Sequence, residues 1–182
     1  MIAVIADLLS LIRVLAAGVL VWLGVTRGAA ALPQATLAAV LGWTSDLLDG
    51  IAARRAGRPT HLGKFDFLFD VLLYAGTLTY LALAGYVPAG LALAYGVVAA
   101  VISAASRRKA VAVLFLRLID VACLMVLFMN LPWAGIAIVG WLTVLAWIYR
   151  KRVAVGVSKW IGQLAGLVSG HAGREPPKGG EQ

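Results

Sequence analysis

Six apolar segments fill most of the chain between residues 11 and 148, and they constrain the fold more than any other feature. Five of them cover residues 11–25, 29–53, 65–86, 110–131 and 133–148, and another ends near residue 105. Each approaches the ~20 residues that a helix needs to cross a bilayer. The 182 residues are 62% hydrophobic with a mean hydropathy of +0.94, far more apolar than a soluble domain. The sequence therefore predicts an all-α membrane protein with six transmembrane helices.

The segments at both ends of the chain differ from these spans. Residues 1–10 are apolar but include Asp7 and Ser10, which predicts a short N-terminal interfacial helix. Asp7 and Arg13 interrupt the first apolar run, so no cleavable signal is expected. Residues 1–152 are predicted to form the six-span domain. Residues 153–169 are interpreted as a possible surface helix and residues 170–182 as a disordered tail.

The net charge of +8 comes from basic clusters that six spans would place on one side of the membrane. The opposite loops offer only Arg27, so the positive-inside rule predicts that the clustered side is cytoplasmic. In a soluble chain this charge would suggest nucleic acid, but here it sets orientation, and no nucleic-acid partner is expected. The clusters are Arg54/Arg55/Arg58/Lys64, Arg107/Arg108/Lys109 and Arg150/Lys151/Arg152.

Four carboxylates stand out at the facing ends of two apolar runs. The chain has only eight acidic residues, and half of them fall within residues 43–71. Asp46 and Asp49 share a helical face, as do Asp66 and Asp70, and a polar turn between the pairs would bring them together. Carboxylates at such close range repel one another unless cations lie between them, and all-oxygen ligands suit Mg²⁺ or Mn²⁺ rather than zinc. The alternative is that they cap helices and pair with the neighbouring basic residues.

The spacing of these residues resembles the signature of the CDP-alcohol phosphatidyltransferases. Those enzymes displace CMP from a CDP-linked lipid by an alcohol. This chain has two residues, Lys64 and Phe65, between the second glycine of the motif (Gly63) and its third aspartate (Asp66), where the family usually has three. The matching pattern is Asp46-x-x-Asp49-Gly50-x-x-Ala53-Arg54, then eight residues to Gly63, then Asp66 and Asp70.

The resemblance implies a role for each motif position. Asp46, Asp49, Asp66 and Asp70 would hold two Mg²⁺ or Mn²⁺ ions per active site, and Asp70 would also be the general base. It further implies a homodimer. The basic clusters predict that the active site lies at the cytoplasmic face, and the plasma (inner) membrane is the expected location. The resemblance implies CDP-diacylglycerol as the CDP-alcohol, and the residues implied to bind it are Gly50, Ala53, Arg54, Thr60 and Arg13.

Four of these donor residues have simpler interpretations. Thr60 lies in a predicted turn, where a threonine needs no ligand. Gly50 and Ala53 can pack helices closely, since small residues do so throughout membrane proteins. Arg13 can be an arginine whose charged head reaches the membrane interface while its stem stays in the apolar layer. The sequence leaves these interpretations open.

The acceptor alcohol is less constrained than the donor. Arg117 and Asp120 lie three apart inside the fifth span, where a buried ion pair would let both remain in lipid. Alternatively, Arg117 with Arg107 and Arg108 binds the phosphate of an acceptor such as glycerol 3-phosphate or an inositol phosphate. Cys123 lies within an apolar run and is expected to be a packing residue.

Other functions remain possible at this point. An intramembrane prenyltransferase also uses aspartates and Mg²⁺, but it would have more spans and two separated motifs. A cation transporter or metal-binding membrane protein is the alternative outside enzymes, although no internal repeat is visible. A non-catalytic family member would explain the missing residue before Asp66.

Overall fold

The computed structural model describes residues 2–56, 65–106 and 109–148, and these residues form helices and short connections without a strand. A short 3-10 helix, Gly28–Ala31, joins the first two α-helices. The six α-helices are α1 Ile2–Arg27, α2 Leu32–Ala56, α3 Asp66–Leu83, α4 Ala89–Ser106, α5 Lys109–Asn130 and α6 Pro132–Ile148.

Several of the described helices are long and apolar enough to cross a membrane, as expected of a multi-pass membrane protein. One apolar segment, Leu8–Asp46, contains two helices, because the chain reverses direction within it. Pro132–Leu145 is apolar but shorter. The other segments of sufficient length are Asp66–Leu83, Ala89–Ser106 and Ala110–Asn130.

The reversal between α1 and α2 depends on Gly28. Its φ of +56° lies in the left-handed region that glycine adopts without a steric penalty. Two tyrosines hold this turn, because the Tyr80 hydroxyl donates to the Gly28 carbonyl and the Tyr86 hydroxyl donates to the Ala29 carbonyl, each at 3.3 Å. Pro33 follows at the second position of α2, where its missing N–H costs no helical hydrogen bond.

The core is built where α1 packs against both α2 and α3. Leu20 of α1 and Leu73 of α3 are almost completely buried there. Gly76 lets the two helices approach closely, since a Cβ atom on it would lie 2.9 Å from the Cα and carbonyl oxygen of Ala17. Cys123 belongs to the same buried cluster, which confirms its prediction as a packing residue.

From α2 to α6, the helix boundaries agree with the predicted spans to within a few residues. A difference lies at the N-terminus, where α1 continues from residue 2 to residue 27 without a break at residue 10. Asp7 and Ser10 do not interrupt it, because single polar residues leave the helical hydrogen bonds intact. A separate interfacial helix and a count of six crossings stay predictions, and the predicted surface helix and tail lie outside the described residues.

Candidate active site

Helices α2 and α3 bring three of the four motif aspartates into one cluster. Asp66 is the first residue of α3, and Asp70 lies one turn later on the same face. Asp46 reaches them from α2, because α2 folds back along α1 and α1 packs on α3. One carboxylate oxygen from each of the three lies within 4.8 Å of the others.

Arg13 of α1 lies at the centre of this cluster. Its side chain is completely buried, and Nη1 donates to Asp46 at 3.2 Å and to Asp70 at 2.5 Å. Nη2 donates to Asp66 and, at 3.4 Å, to the hydroxyl of Ser10. The interpretation of Arg13 as an interfacial arginine is therefore wrong, because its guanidinium is inside the bundle.

The cluster has the chemistry of a divalent cation site. Asp46, Asp66 and Asp70 carry three negative charges against one on Arg13, so the four side chains keep an excess of two negative charges. The carboxylates remain reachable, with 48%, 42% and 26% of their side-chain surface exposed, respectively. Hard cations such as Mg²⁺ prefer oxygen ligands of this kind. These residues fit a divalent metal ion.

A second polar group lies further along α3 and on α5. Arg117 Nη1 donates to Asp120 Oδ2 at 2.7 Å, so the predicted ion pair forms, but it is not buried as a whole. The Tyr74 hydroxyl donates to the same oxygen at 3.0 Å and accepts from Arg117 Nη1 at 3.2 Å. Asp120 is mostly buried, whereas 62% of the Arg117 side chain is exposed.

A cavity of about 540 Å³ connects the two polar groups. Asp46 and Asp70 border it on one side, and Tyr74, Arg117 and Asp120 border it on another. Much of the remaining wall is apolar and comes from α5 and α6. A ligand in this cavity would contact carboxylates, an ion pair and an apolar surface at the same time. The apolar residues contributed by α5 and α6 are Val113, Leu116, Leu124, Ile138, Trp141, Leu142 and Leu145.

Comparison with protein families agrees with this geometry. The sequence profile described as CDP-alcohol phosphatidyltransferase matches residues 3–150, most of the chain. The chain belongs to the CDP-alcohol phosphatidyltransferase family. It is therefore a transferase for substituted phosphate groups, and its family uses divalent metals. No curated protein and no solved structure gives a match.

The shortened spacing before the third aspartate does not turn the second pair away from Asp46. CDP-alcohol phosphatidyltransferases usually have three residues after the second motif glycine, and this chain has Lys64 and Phe65. Even so, Asp66 and Asp70 both face Asp46. The geometry gives no support to a degenerate site at these three positions.

The remaining predicted residues of this phosphatidyltransferase are only partly visible. Asp49, Gly50, Ala53 and Arg54 lie in α2, but their side chains are outside the described part of the structure. The described residues also exclude Thr60, Arg107 and Arg108. Their predicted roles stay predictions.

Sequence reasoning missed Tyr74 as a member of the site. It lies four residues after Asp70, and that spacing is the signal that would have placed both on one face of α3. A tyrosine in an apolar span otherwise has no feature that separates it from a packing residue.

Proposed function

We propose that this protein transfers a phosphatidyl-type group from a CDP-alcohol, CDP-diacylglycerol in particular, to a small alcohol and releases CMP. The carboxylate cluster around Arg13, open to a cavity of about 540 Å³ in a chain of this family, is the observation that carries the proposal. Glycerol 3-phosphate and inositol phosphate are the proposed acceptors.

Asp46, Asp49, Asp66 and Asp70 are proposed to hold two divalent cations, Mg²⁺ or Mn²⁺. Bound cations of this kind neutralise the charge that develops on a leaving phosphate and hold a pyrophosphate in line for displacement. The proximity of Asp46, Asp66 and Asp70 supports this assignment, since their oxygens approach within 4.8 Å. Asp49 is included because it lies three residues after Asp46 on α2.

Asp70 is also the proposed general base. It borders the cavity, so an acceptor hydroxyl bound there can give its proton to the carboxylate. The hydroxyl oxygen then bonds to the lipid-linked phosphorus, and the bond from that phosphorus to the bridging oxygen of the pyrophosphate breaks. CMP leaves with the electron pair of that bond.

The donor nucleotide is proposed to bind along α2. Gly50 and Ala53 are small enough to let a cytidine approach the helix, and Arg54 and Thr60 would contact the donor beside them. Arg13 is proposed to bind the donor phosphates. Its position among the three carboxylates supports this, because those carboxylates are the proposed ligands of the cations that would meet the pyrophosphate.

The acceptor is proposed to bind on the other side of the cavity. Arg117 borders it with an exposed guanidinium, which suits the phosphate of glycerol 3-phosphate or an inositol phosphate. Arg107 and Arg108 would add positive charge, since they lie just before α5 in sequence.

We further propose six membrane crossings in the plasma (inner) membrane, a cytoplasmic active site and a homodimer. The reversal at Gly28 supports two crossings within Leu8–Asp46, and α6 would be a short crossing without much tilt. One basic cluster lies in sequence at the end of α2 and before α3, the helices that carry the carboxylates, and the other two follow α4 and α6, which supports the cytoplasmic orientation.

The test is CMP release by purified protein in liposomes. The donor is CDP-diacylglycerol, and the acceptors are glycerol 3-phosphate, inositol phosphate, inositol, serine and phosphatidylglycerol. We expect release that depends on Mg²⁺ or Mn²⁺, and a loss of about 100-fold or more in Asp70→Asn because the base is removed. Asp7→Asn makes the same chemical change outside the motif and should keep its activity. Folded protein that releases no CMP with any acceptor would contradict the proposal.

A further inference from the structure

We propose that Tyr74, Arg117 and Asp120 form an acceptor-selecting site for alcohols that carry a second hydrogen-bond donor and an anionic group. The proposal rests on the proposed function and names the class of acceptor that this function uses. Because these three residues border the same cavity as Asp70, an acceptor held by them has its reacting hydroxyl near the proposed base.

The first observation is an unequal use of the two oxygens of Asp120. Arg117 and Tyr74 both donate to Oδ2, at 2.7 and 3.0 Å. Oδ1 is buried and has no hydrogen-bond partner among the residues that the structure describes. A buried carboxylate oxygen without a donor is costly in an apolar surrounding. An acceptor hydroxyl or ammonium group would supply that donor once the Asp120 side chain turns Oδ1 toward the cavity that it borders.

Trp43 adds an unsatisfied hydrogen-bond donor, whereas Asp120 offers an unsatisfied acceptor. Its indole N–H is buried without an acceptor in the described part of the chain, and its side chain borders the same cavity. An indole N–H can only donate, so its partner must be an oxygen of the ligand. The residues that border the cavity therefore carry an unfilled donor as well as an unfilled acceptor.

Arg117 supplies the anion-binding part of this site. Only its Nη1 is hydrogen-bonded within the described residues, whereas a guanidinium has five N–H donors in a planar fork. More than half of the side chain is exposed, and the residue borders the cavity. The unused edge can bind a phosphate or a carboxylate while Nη1 keeps Asp120 in place.

These three requirements together define the class of acceptor. Glycerol 3-phosphate has a second hydroxyl beside a phosphate, an inositol phosphate has several, and serine has an ammonium group beside a carboxylate. Diacylglycerol has one hydroxyl and no further donor or anion, so it would leave Asp120 Oδ1 unpaired. The site selects small polar acceptors over lipid alcohols.

The experiment compares acceptors that differ only by the second donor. CMP release is measured with glycerol 3-phosphate against 3-hydroxypropyl phosphate, and with serine against 3-hydroxypropanoate. One of these two pairs will contain the acceptor that the enzyme uses. Within that pair, we expect the wild-type kcat/KM to be about 100-fold higher for the acceptor that keeps the second donor, because a polar site rejects a partner that cannot pair with it. In Asp120→Asn this ratio should fall to about 3-fold or less, while KM for CDP-diacylglycerol stays unchanged.

Tyr74→Phe provides a second variant with a matched control. Removing the hydroxyl frees Asp120 Oδ2 from one of its donors, so the acceptor KM should rise about 3- to 10-fold and the discrimination should weaken. Tyr80→Phe makes the same change on the same helix, at a tyrosine that bonds to the Gly28 carbonyl and does not border this cavity. It should change neither the acceptor KM nor the ratio.

The possible outcomes distinguish a failure of the acceptor site from a failure of the proposed function. CMP release with equal efficiency for both members of a pair, or full discrimination retained in Asp120→Asn, would overturn the acceptor site and leave the transferase intact. If Asp120→Asn does not fold, an unchanged ratio in Tyr74→Phe overturns it. Release with diacylglycerol in preference to every polar acceptor also overturns it. No release with any acceptor would refute the proposed function itself, and this inference with it.

Discussion

At the scale of single residues, Arg13 determines the charge balance of the candidate site. Asp46, Asp66 and Asp70 would repel one another strongly at their observed separation, and the buried guanidinium reduces that repulsion. A divalent cation bound to the same carboxylates would do likewise. Arg13 and metal ions therefore stabilise the same arrangement of α2 and α3 by the same electrostatic means.

Replacing Arg13 with Gln should consequently destabilise the metal-free protein. We expect a loss of about 1–3 kcal/mol in EDTA, because the three clustered carboxylates lose the guanidinium that offsets their mutual repulsion. Mn²⁺ should restore part of the loss. Thermal unfolding in detergent, with EDTA or Mn²⁺, measures both effects. Arg27→Gln removes the same charge from the exposed end of α1 and serves as the control. Equal unfolding temperatures for the two variants in EDTA would show that the Arg13 pairs contribute no stability.

Sequence reasoning reached the carboxylates but not this arginine's contacts. The spacing within each aspartate pair predicts which residues share a helical face, and the polar segment between the two apolar runs predicts that the pairs come together. Arg13 contacts aspartates that are 33 to 57 positions away in the chain. No local pattern encodes such a contact, because it depends on how α1 packs against α2 and α3 together.

At the scale of helices, the distance between α1 and α3 depends on Gly76. Ala17 approaches it so closely that even one methyl group would overlap backbone atoms, which cannot move as a side chain does. This packing keeps Arg13 of α1 beside Asp66 and Asp70 of α3. The sequence shows both small residues, but it contains many others of the same kind. Which pair forms the contact follows only from the assembled helices.

Gly76→Ala should therefore separate the two helices and weaken the site. We expect a destabilisation of about 1–3 kcal/mol, as is usual when a packed core must accept an extra methyl group. CMP release should fall with it, since the contacts of Arg13 depend on this spacing. Gly96→Ala in α4 is the matched control, because a Cβ atom there meets nothing within 4 Å. The unfolding temperature and the rate of CMP release are measured for both variants. A Gly76→Ala variant as stable and active as Gly96→Ala would contradict the prediction.

At the scale of the whole molecule, hydropathy and charge were enough to predict an apolar helical bundle. The apolar runs gave nearly the observed helix boundaries from α2 to α6, since each run ends at a glycine, proline or basic cluster. They could not show the cavity bordered by α2, α3, α5 and α6, because its walls come from residues far apart in sequence. The orientation in the membrane rests on the positive-inside rule alone.

Cysteine labelling tests that orientation. In a Cys123→Ala background the chain has no other thiol, so single cysteines report their own side of the membrane. Arg27→Cys should react with a membrane-impermeant thiol reagent in intact cells, whereas Ser106→Cys should react only after permeabilisation. The cysteine-free parent gives the background signal. The reverse pattern would place the carboxylates on the outer face and refute a cytoplasmic active site.

The arrangement of α3 has a consequence for the size of the acceptor. Asp66, Asp70 and Tyr74 follow one another at four-residue intervals along one helix face. Each interval advances about 6 Å along the helix axis. An acceptor whose reacting oxygen meets Asp70 while its far end reaches the level of Tyr74 must itself be about one helical turn long. Three-carbon and ring-sized acceptors span that length, whereas methanol-sized alcohols fall short and would bind at one end only.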